Sequence, residues 1–493
     1  MTYLLGIDLG TSSVRAGIYR EDGSRPGLAA ASYPISTPAP DRSEQNPESW
    51  WQATTSAIKA ALNDAGIKGS QLTGIAFDGQ MHGGALLDWD GEPVCPAIIW
   101  PDSRSAGVLD EIADLLGDAI ITKTIMNRPF PGTFAATLFW MRKHDPSTWK
   151  RIRHILPPKD YIRYRMCGLF NTDPSDASAT LLFDQNARDW STDTAKRLDI
   201  PIEWLPYVVT SDEEISETYG IEEEIGIPDG IPVIIGGADQ ACAAFGNGVM
   251  EPGTVLVTIG TGGQVCTPLT TPANTRNLSL NVFCHLPESR WYLMGATLSA
   301  GLCLRWFRDT FAPGVPFEDL SNEAAAVGDT GELMFLPYLP GKRSPDLNPA
   351  AHGLFSGIRL HHSRGHFVRA IMEGVAFDLR ECLEEISTVS VKPERIILSG
   401  GGSTSKVWTQ IMADVLGLDV HVSGRDEQAC FGAALLAGIG TGAFRDYQDA
   451  LGRVPEPSEP VSPDTENTDR YNSRYSSYLY TYRTLMTKEK SRP

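Results

Sequence analysis

The chain has 493 residues, which is too long for one hydrophobic core and predicts two large domains. Apolar residues make up 42% and charged residues 21%, as in an ordinary globular protein. The net charge of −19 argues against nucleic acid or an anionic membrane as the main partner, because both need a basic surface.

The N-terminal stretch MTYLLGIDLGTSSVRAGIYR predicts a hairpin. Its strands fall at 4–7 and 14–19, and its turn is Gly10-Thr11-Ser12. Glycine amides and hydroxyls in such a turn suit a phosphate group, and the alternative is an ordinary turn capped by Asp8. Neither a signal peptide nor an apolar run of the roughly 20 residues that span a membrane is visible, so we expect a cytoplasmic protein.

Helices and buried strands then alternate, which predicts an α/β fold. The segment PESWWQATTSAIKAAL (47–62) reads as a helix with Asn46 as N-cap and Pro47 at its first position. A second helix, HFVRAIMEGVAFDLRECLEEI (366–386), carries apolar residues on one face. Four runs read as buried strands, GIAFDG (74–79), PVIIGGAD (232–239), TVLVTIG (254–260) and RIILSGGG (395–402).

Two loops after these early strands carry polar and aromatic side chains. GQMHGG contains Gln80 and His82, and IIWPDSRS contains Trp100, Asp102 and Arg104. Together they offer donors, acceptors and an aromatic face, which suits a neutral polyhydroxy ligand. Taken singly, His82 reads as a structural histidine and the acid and arginine of the second loop as a local ion pair.

Asp239 follows a buried strand in PVIIGGADQACAAFG, where a run of small residues begins. A carboxylate held there can act as general base toward a hydroxyl within hydrogen-bonding reach. Aspartate is also favoured as a helix N-cap, and the local sequence alone favours that reading.

An internal repeat links the two halves of the chain. GIDLGTSSV (6–14) is echoed by VTIGTGGQV (257–265), so that a Gly-Thr pair falls at 10–11 and again at 260–261, about half the chain later. Two similar domains would then present two phosphate-gripping hairpins to one cleft. The boundary is expected near 246–248.

The C-terminal part carries a glycine-rich turn and a terminal helix. ILSGGGSTSKVW (397–408) places three glycines between a strand and a helix that begins near Ser405, where a nucleotide could approach the backbone. PEPSEPVSPDTEN (455–467) predicts a linker. A helix over 468–486 is expected to dock an aromatic stripe on the body, formed by Tyr471, Tyr475, Tyr478 and Tyr482.

Motifs along nearly the whole chain, taken together, resemble the FGGY family of carbohydrate kinases. In order they are GIDLGTSSV, SEQNPESWW, GQMHG, LPPKDYIRYRMCG, GGADQACAAFGNG, FLPYLPGKRSP, GLFSGI, HFVRAIMEGV and SGGGSTSKVW. The resemblance implies an actin-like, hexokinase-type fold, with two ribonuclease-H-like domains at 1–246 and 247–493 facing a central cleft. It also implies ATP and Mg²⁺ as cofactors.

The resemblance also assigns roles to residues of this sequence. Asp8 matches the residue near the metal and phosphates, and Asp239 matches the catalytic base beside the sugar. The phosphate loops match Thr11, Ser12, Gly260, Thr261 and Gly262; the adenosine site matches Gly401 and Gly402; and the sugar loops match Gln80, Met81, His82, Trp100, Asp102 and Arg104.

The implied reaction is transfer of the γ-phosphate of Mg-ATP to a ketopentose, with D-xylulose first and ribulose, a sugar acid or a polyol as alternatives. A non-catalytic actin-like ATP-binding protein is the alternative from another class. The implied partner is a small sugar, with no nucleic acid or membrane and with a homodimer left open. Four departures from the family pattern leave the sugar open: Asp78, Pro101, Thr137 and Lys342.

Asp78 is the departure with the clearest expected consequence. It stands directly beside the GQMHG loop, where an added carboxylate could accept a hydrogen bond from a substrate hydroxyl. The alternative is that Asp78 only caps the loop.

Overall fold

The computed structural model describes residues 2–486, in which strands and helices alternate along the chain. The strands are β1 (Tyr3–Leu9), β2 (Ser13–Arg20), β3 (Gly27–Ser32), β4 (Glu44–Gln45), β5 (Gly74–Gly79), β6 (Ala85–Leu87), β7 (Ala97–Ile98), β8 (His154–Leu156), β9 (Asn171–Thr172), β10 (Phe183–Asp184), β11 (Asp189–Trp190), β12 (Tyr207–Val208), β13 (Glu214–Glu217), β14 (Pro232–Ile234), β15 (Gly237–Ala238), β16 (Thr254–Ile259), β17 (Gly263–Leu269), β18 (Asn281–Cys284), β19 (Trp291–Thr297), β20 (Met334–Leu336), β21 (Leu354–Ser356), β22 (Arg395–Ser399) and β23 (Val420–Val422). The helices are α1 (Pro47–Ala65), α2 (Leu109–Lys123), α3 (Phe134–His144), α4 (Pro146–Trp149), α5 (Pro158–Cys167), α6 (Pro174–Ala177), α7 (Thr192–Arg197), α8 (Glu222–Ile225), α9 (Asp239–Gly246), α10 (Gly301–Phe311), α11 (Phe317–Val327), α12 (Arg364–Ile386), α13 (Lys406–Leu416), α14 (Gln428–Gly440), α15 (Tyr447–Leu451) and α16 (Thr465–Met486).

A mixed sheet organises each half of the chain. The first has the order β13-β14-β5-β1-β2-β3, with β15 also beside β5, and the second has the order β18-β19-β17-β16-β22-β23. In the first, β1 is antiparallel to β2 and parallel to β5. In the second, β16 is antiparallel to β17 and parallel to β22. The predicted α/β class with two similar halves is therefore confirmed, because the same hairpin and crossover occur twice.

Two helices lie between the sheets and join the halves. α9 packs against α14, and α14 also packs against β1 and β5, although it comes from the second half of the sequence. The backbones approach closely: a Cβ on Gly6 would lie 2.0 Å from the Cys430 carbonyl oxygen, and one on Gly432 would lie 2.1 Å from that of Cys242. The predicted domains, 1–246 and 247–493, therefore share a hydrophobic core across the proposed boundary.

The boundaries of several predicted elements are corrected by the structure. The predicted strand at 232–239 is two strands, β14 and β15, because the chain turns at Gly236 with φ 83°. A Cβ at Gly236 would lie 1.8 Å from the Phe77 carbonyl oxygen, so only glycine fits there. The helices predicted at 47–62 and 366–386 are slightly longer, as α1 and α12.

The C-terminal helix docks through its tyrosines as predicted, but α16 begins at Thr465, inside the predicted 455–467 linker. Tyr471, Tyr475, Tyr478 and Tyr482 are all buried. The last residues of the predicted second domain, 487–493, lie outside the described residues. None of the helices within 2–486 combines the length and apolar character needed to span a bilayer.

Candidate active site

Three carboxylates come together where neighbouring strands end. Asp8 lies near the end of β1 and pairs in register with Asp78 of the parallel strand β5. Gly237 of β15 pairs with Asp78 in the same parallel direction, and Asp239 follows that strand at once. Because the carboxyl ends of parallel strands meet at one edge of a sheet, the fold itself brings the three acids together.

Their pKa values show how strongly these acids interact. Burial raises the pKa of Asp8 above its ordinary range, with Arg15 opposing the rise. Burial, and then the charges of Asp8 and Asp239, hold the pKa of Asp78 well above its usual range. Burial, followed by the charge of Asp8, raises the pKa of Asp239 to about 7, although part of its side chain remains accessible. Perturbed acids at strand ends are typical of functional sites.

Asp239 is the first residue of α9 and not its N-cap, which is Ala238. Its Oδ1 accepts one hydrogen bond, of 2.7 Å, from the backbone nitrogen of Gln240. The N-cap interpretation favoured by the local sequence is therefore not what the structure has. Asp239 keeps its second oxygen for another partner.

Sequence reasoning missed the charged neighbours of Asp8. The β1–β2 register places Arg15 opposite Asp8, and its Nη1 lies 3.4 Å from Asp8 Oδ2. The Nε of Arg15 lies 2.7 Å from Glu427 Oε2, at the start of α14. The hairpin register could have revealed the arginine, but Glu427 is more than four hundred residues away in sequence. Within residues 2–486, no group of three or more His, Cys, Asp or Glu side chains is arranged to hold a metal ion.

The first Gly-Thr turn is tied to the sugar loops through Gln45. The Gly10 amide donates to the Ser13 carbonyl at 3.1 Å, which closes the turn. Gln45 Nε2 donates to the Thr11 carbonyl at 2.7 Å, and Gln45 Oε1 accepts from Gln80 at 2.9 Å. Gln45 lies in the SEQNP motif but was given no role from sequence. Ser12 itself is exposed.

The second Gly-Thr turn borders a cavity of about 880 Å³. The amide of Gly301, at the start of α10, donates to the Gly260 carbonyl at 2.8 Å. The cavity is lined by four of the predicted ATP-binding residues, Gly260, Thr261, Gly401 and Gly402, together with side chains of α11 and α13 that include Phe317, Asn322 and Trp408. Of the other predicted phosphate-loop residues, Gly262 lies in the same turn but is not part of the lining.

The glycine-rich turn after β22 suits a flat ligand. It forms a short 3₁₀ helix over Gly401–Thr404. A Cβ on Gly401 would meet no atom within 4 Å, so this backbone faces open space, whereas one on Gly402 would lie 2.3 Å from Ile259 Cγ2. The missing side chain of Gly401 thus leaves the cavity open, and that of Gly402 allows the turn to pack closely against β16. The volume lies within the 300–1,000 Å³ range of ordinary ligand pockets, roughly.

His82 is held neutral in a strained backbone conformation. Its φ is 79°, which is rare for a residue other than glycine. Its Nδ1 lies 2.9 Å from the Ala179 carbonyl oxygen, which can only accept, so Nδ1 carries the proton and Nε2 is left as an acceptor. Burial, and then the nearby Arg343 charge, lowers the pKa of His82 to about 3. Arg343 was not singled out from sequence and lies 5.3 Å above the ring of Phe130.

The other predicted residues of the first sugar loop are also buried. Gln80 Oε1 has no hydrogen-bond partner among the described residues. Met81 contacts the Tyr292 hydroxyl across the two halves of the chain, at 3.9 Å from its sulfur. Trp100 is 37% exposed, and its Nε1 donates to Thr11 Oγ1 at 2.9 Å, so the second sugar loop touches the first phosphate turn.

Asp102 and Arg104 bind each other. Arg104 Nε and Nη2 donate to the two Asp102 oxygens at 2.8 and 2.7 Å. The Ser43 amide also donates to Asp102 at 2.8 Å, and only 1% of Asp102 is exposed. This geometry favours the local ion-pair interpretation, in which the pair holds the loop, over direct contact with a substrate.

The four departures from the family pattern differ in their surroundings. Asp78 has no exposed surface and lies beside Asp8, and its contact with a substrate hydroxyl stays a prediction. Lys342 is buried and lies 2.8 Å from both Glu381 oxygens, so its charge is neutralised inside the protein. Pro101 is exposed, and the hydroxyl of the buried Thr137 has no partner among residues 2–486.

Comparisons with known proteins show the family of the chain. Residues 3–246 match the sequence model of the FGGY family of carbohydrate kinases, N-terminal domain, and residues 255–441 match that of its C-terminal domain. The chain is 32% identical to a xylulose kinase of Bacillus subtilis over 98% of this chain and 97% of that protein. It is 33% identical to one of Escherichia coli over 98% and 99%. The crystal structure of a xyloylose kinase from Brucella ovis superposes with a TM-score of 0.90, at 30% identity, over 98% of this chain and 99% of that one.

Proposed function

Because the chain belongs to the FGGY family of carbohydrate kinases, we propose that it transfers the γ-phosphate of ATP to the 5-hydroxyl of D-xylulose. One observation carries the phosphotransfer: Asp239, with a pKa raised to about 7, stands beside Asp8 at the strand ends. The choice of xylulose is supported by two xylulose kinases at 32% and 33% identity over nearly their full lengths. We place this reaction in the cytoplasm, and the homodimer stays a prediction.

The nucleotide fits the cavity beside the second Gly-Thr turn. Its volume of about 880 Å³ accommodates a nucleoside, and the bare backbone of Gly401 leaves room for a flat base. Thr261 is exposed at the mouth of the turn, and its hydroxyl and the neighbouring amides suit the phosphates. Thr11 and Ser12, in the first turn in the N-terminal half of the chain, would bind the same phosphates.

The metal fits the acidic group at the strand ends. Asp8 is only 8% exposed, and among residues 2–486 its one cationic contact is Arg15, which it shares with Glu427. Magnesium binds few protein carboxylates and keeps waters and phosphate oxygens as its other ligands. Asp8 would hold Mg²⁺ directly or through water. When bound, the ion neutralises charge on the phosphates that are transferred and released.

Asp239 would act as the general base. In the step, Asp239 takes the proton of the 5-hydroxyl, a bond forms between that oxygen and the γ-phosphorus, and the bond to the β-phosphate oxygen breaks, which releases ADP. Phosphoryl transfer has a loose transition state, so positioning and charge neutralisation contribute most of the acceleration. A base with pKa near 7 is ionised often enough at neutral pH and still receives the proton readily.

The sugar loops would orient the acceptor hydroxyl. Gln80 Oε1 is a buried acceptor without a partner among the described residues, and the Nδ1 contact of His82 leaves its Nε2 as an acceptor; both suit hydroxyl groups of a neutral sugar. A sugar that leaves such a group unpaired loses about 1–3 kcal/mol. Trp100, which is partly exposed, adds an aromatic face, while Asp102 and Arg104 keep its loop in place.

A coupled assay of ADP release tests this proposal. D-xylulose, ribulose, xylitol and gluconate are compared as acceptors with Mg-ATP. We expect the highest kcat/KM for D-xylulose and little ADP release without sugar. A higher kcat/KM for another acceptor would reassign the substrate, and no sugar-dependent release at all would leave a non-catalytic ATP-binding protein.

A further inference from the structure

We propose that Asp78 is a second carboxylate of the divalent-cation site and that it strengthens cation binding from behind Asp8. The inference concerns a residue outside the sugar and phosphate loops. It rests on the proposed function in one respect, because it takes the metal to bind at Asp8.

The geometry directs Asp78 at Asp8. The two residues are register partners on adjacent parallel strands, β1 and β5, so their side chains lie next to each other at the same edge of the sheet. Asp78 has no exposed surface. Neither of its oxygens has a hydrogen-bond partner among the described residues. It is thus a fully buried polar side chain aimed at another acid and otherwise unpaired.

The surroundings of the pair supply little positive charge to an ionised Asp78. Asp8, Asp78 and Asp239 interact electrostatically, and Glu427 lies on the far side of Arg15. Arg15 is the one cation that contacts Asp8 in the described part of the chain, and it lies 3.4 Å away and is also held by Glu427. A buried carboxylate without a counter-charge is costly. A divalent cation at Asp8 supplies the missing charge.

Other buried aspartates show what a purely structural role looks like here. Asp173 accepts hydrogen bonds from the Ser175 amide and from the Ser211 hydroxyl, at 2.8 and 2.9 Å. Asp102 accepts from a backbone amide and from Arg104. Both are held by donors of the protein, whereas Asp78 is not. The difference leaves both Asp78 oxygens without a donor from the described residues.

We expect few protein ligands around the cation. No three ligating side chains are preassembled within residues 2–486, so the cation takes at most two protein carboxylates and completes its shell with water and phosphate oxygens. Asp78 then acts from behind Asp8, as a charge that holds the ion and its water at Asp8.

Binding of Mn²⁺ to the full chain, measured by electron paramagnetic resonance in the presence of ADP, tests the role of Asp78. Asp78→Asn keeps the size of the side chain and removes its charge, and we expect Mn²⁺ affinity to fall about tenfold. Asp90→Asn removes the same charge from an exposed position and serves as the control, with affinity unchanged. Melting temperatures without metal are measured in parallel.

The outcomes separate the possibilities. A metal-free Asp78→Asn protein at least as stable as the wild type, with weaker Mn²⁺ binding, supports the inference. Unchanged Mn²⁺ affinity overturns it. A large loss of stability in Asp78→Asn and also in Asp78→Ser identifies a structural role and overturns it as well. If the wild type itself binds no Mn²⁺ with ADP, the proposed metal site fails instead, and the inference falls with it.

Discussion

Replacing Asp239 by asparagine separates its chemistry from its structural role. The asparagine side chain has the same size and can still accept the 2.7 Å hydrogen bond from the backbone of Gln240, but it cannot take a proton. A positioned base contributes roughly 10² to 10⁴ in rate. We therefore expect kcat of Asp239→Asn to fall by that factor, or about 3 to 5 kcal/mol of barrier, while ATP still binds.

The raised pKa of Asp239 gives the same variant two further signatures. With a pKa of about 7, the ionised fraction of Asp239 in the wild type rises roughly tenfold between pH 6 and pH 8, so its kcat should rise by a similar factor. A carboxyl whose folded pKa exceeds its ordinary 3.8 contributes stability that is present below pH 3.8 and is lost as the pH rises through about 7. The free energy of unfolding falls by at most roughly 4 kcal/mol over this range, and solvent near the partly accessible side chain reduces that figure. Asp239→Asn should therefore melt at a higher temperature than the wild type at pH 8 and at a similar one near pH 4.

The assay is ADP release with saturating D-xylulose and Mg-ATP from pH 5.5 to pH 8.5, beside thermal melting of the same proteins. Asp90→Asn, at an exposed position, is the control and should behave as the wild type. A kcat within tenfold of the wild type, or a wild-type profile flat through pH 7, would remove Asp239 from the role of base.

Three further predictions concern the nucleotide, the hinge and a buried ion pair. Gly401→Ala should fold normally and raise the KM for ATP, whereas Gly402→Ala should lower the melting temperature, because its Cβ meets β16 at 2.3 Å; equal behaviour of both would contradict this. Xylulose with a non-hydrolysable ATP analogue should reduce the radius of gyration through closure at 246–252, and an unchanged radius at saturation counts against a hinge. Lys342→Met should cost up to about 3–5 kcal/mol of stability by leaving the partly buried Glu381 unpaired. The sugar KM should not change, and Glu381→Gln in the same chain should restore part of the loss.

Local patterns in the sequence were enough to predict the two hairpins and their repeat. A buried strand, a Gly-Thr turn and a return strand are consecutive residues, so alternation and turn chemistry reveal them. The same holds for the N-cap Asn46 and for the helix after Ser405, whose side chain accepts from the Trp408 amide at 3.4 Å.

Features that depend on register between distant strands could not be predicted. Asp8 and Asp78 lie 70 positions apart in sequence, and only the β1–β5 register brings their side chains next to each other. The contact of Arg15 with Glu427 has the same origin, since it requires α14 to return to the first sheet.

Phosphorus NMR of the product formed from D-xylulose and Mg-ATP decides whether the chain catalyses the proposed reaction. We expect one sugar phosphate whose phosphorus couples to the two protons of the C5 methylene group, formed roughly 10² to 10⁴ times more slowly by Asp239→Asn. Phosphate on C1 or on a secondary hydroxyl, or no sugar phosphate from the wild type, would show that the proposed reaction is wrong.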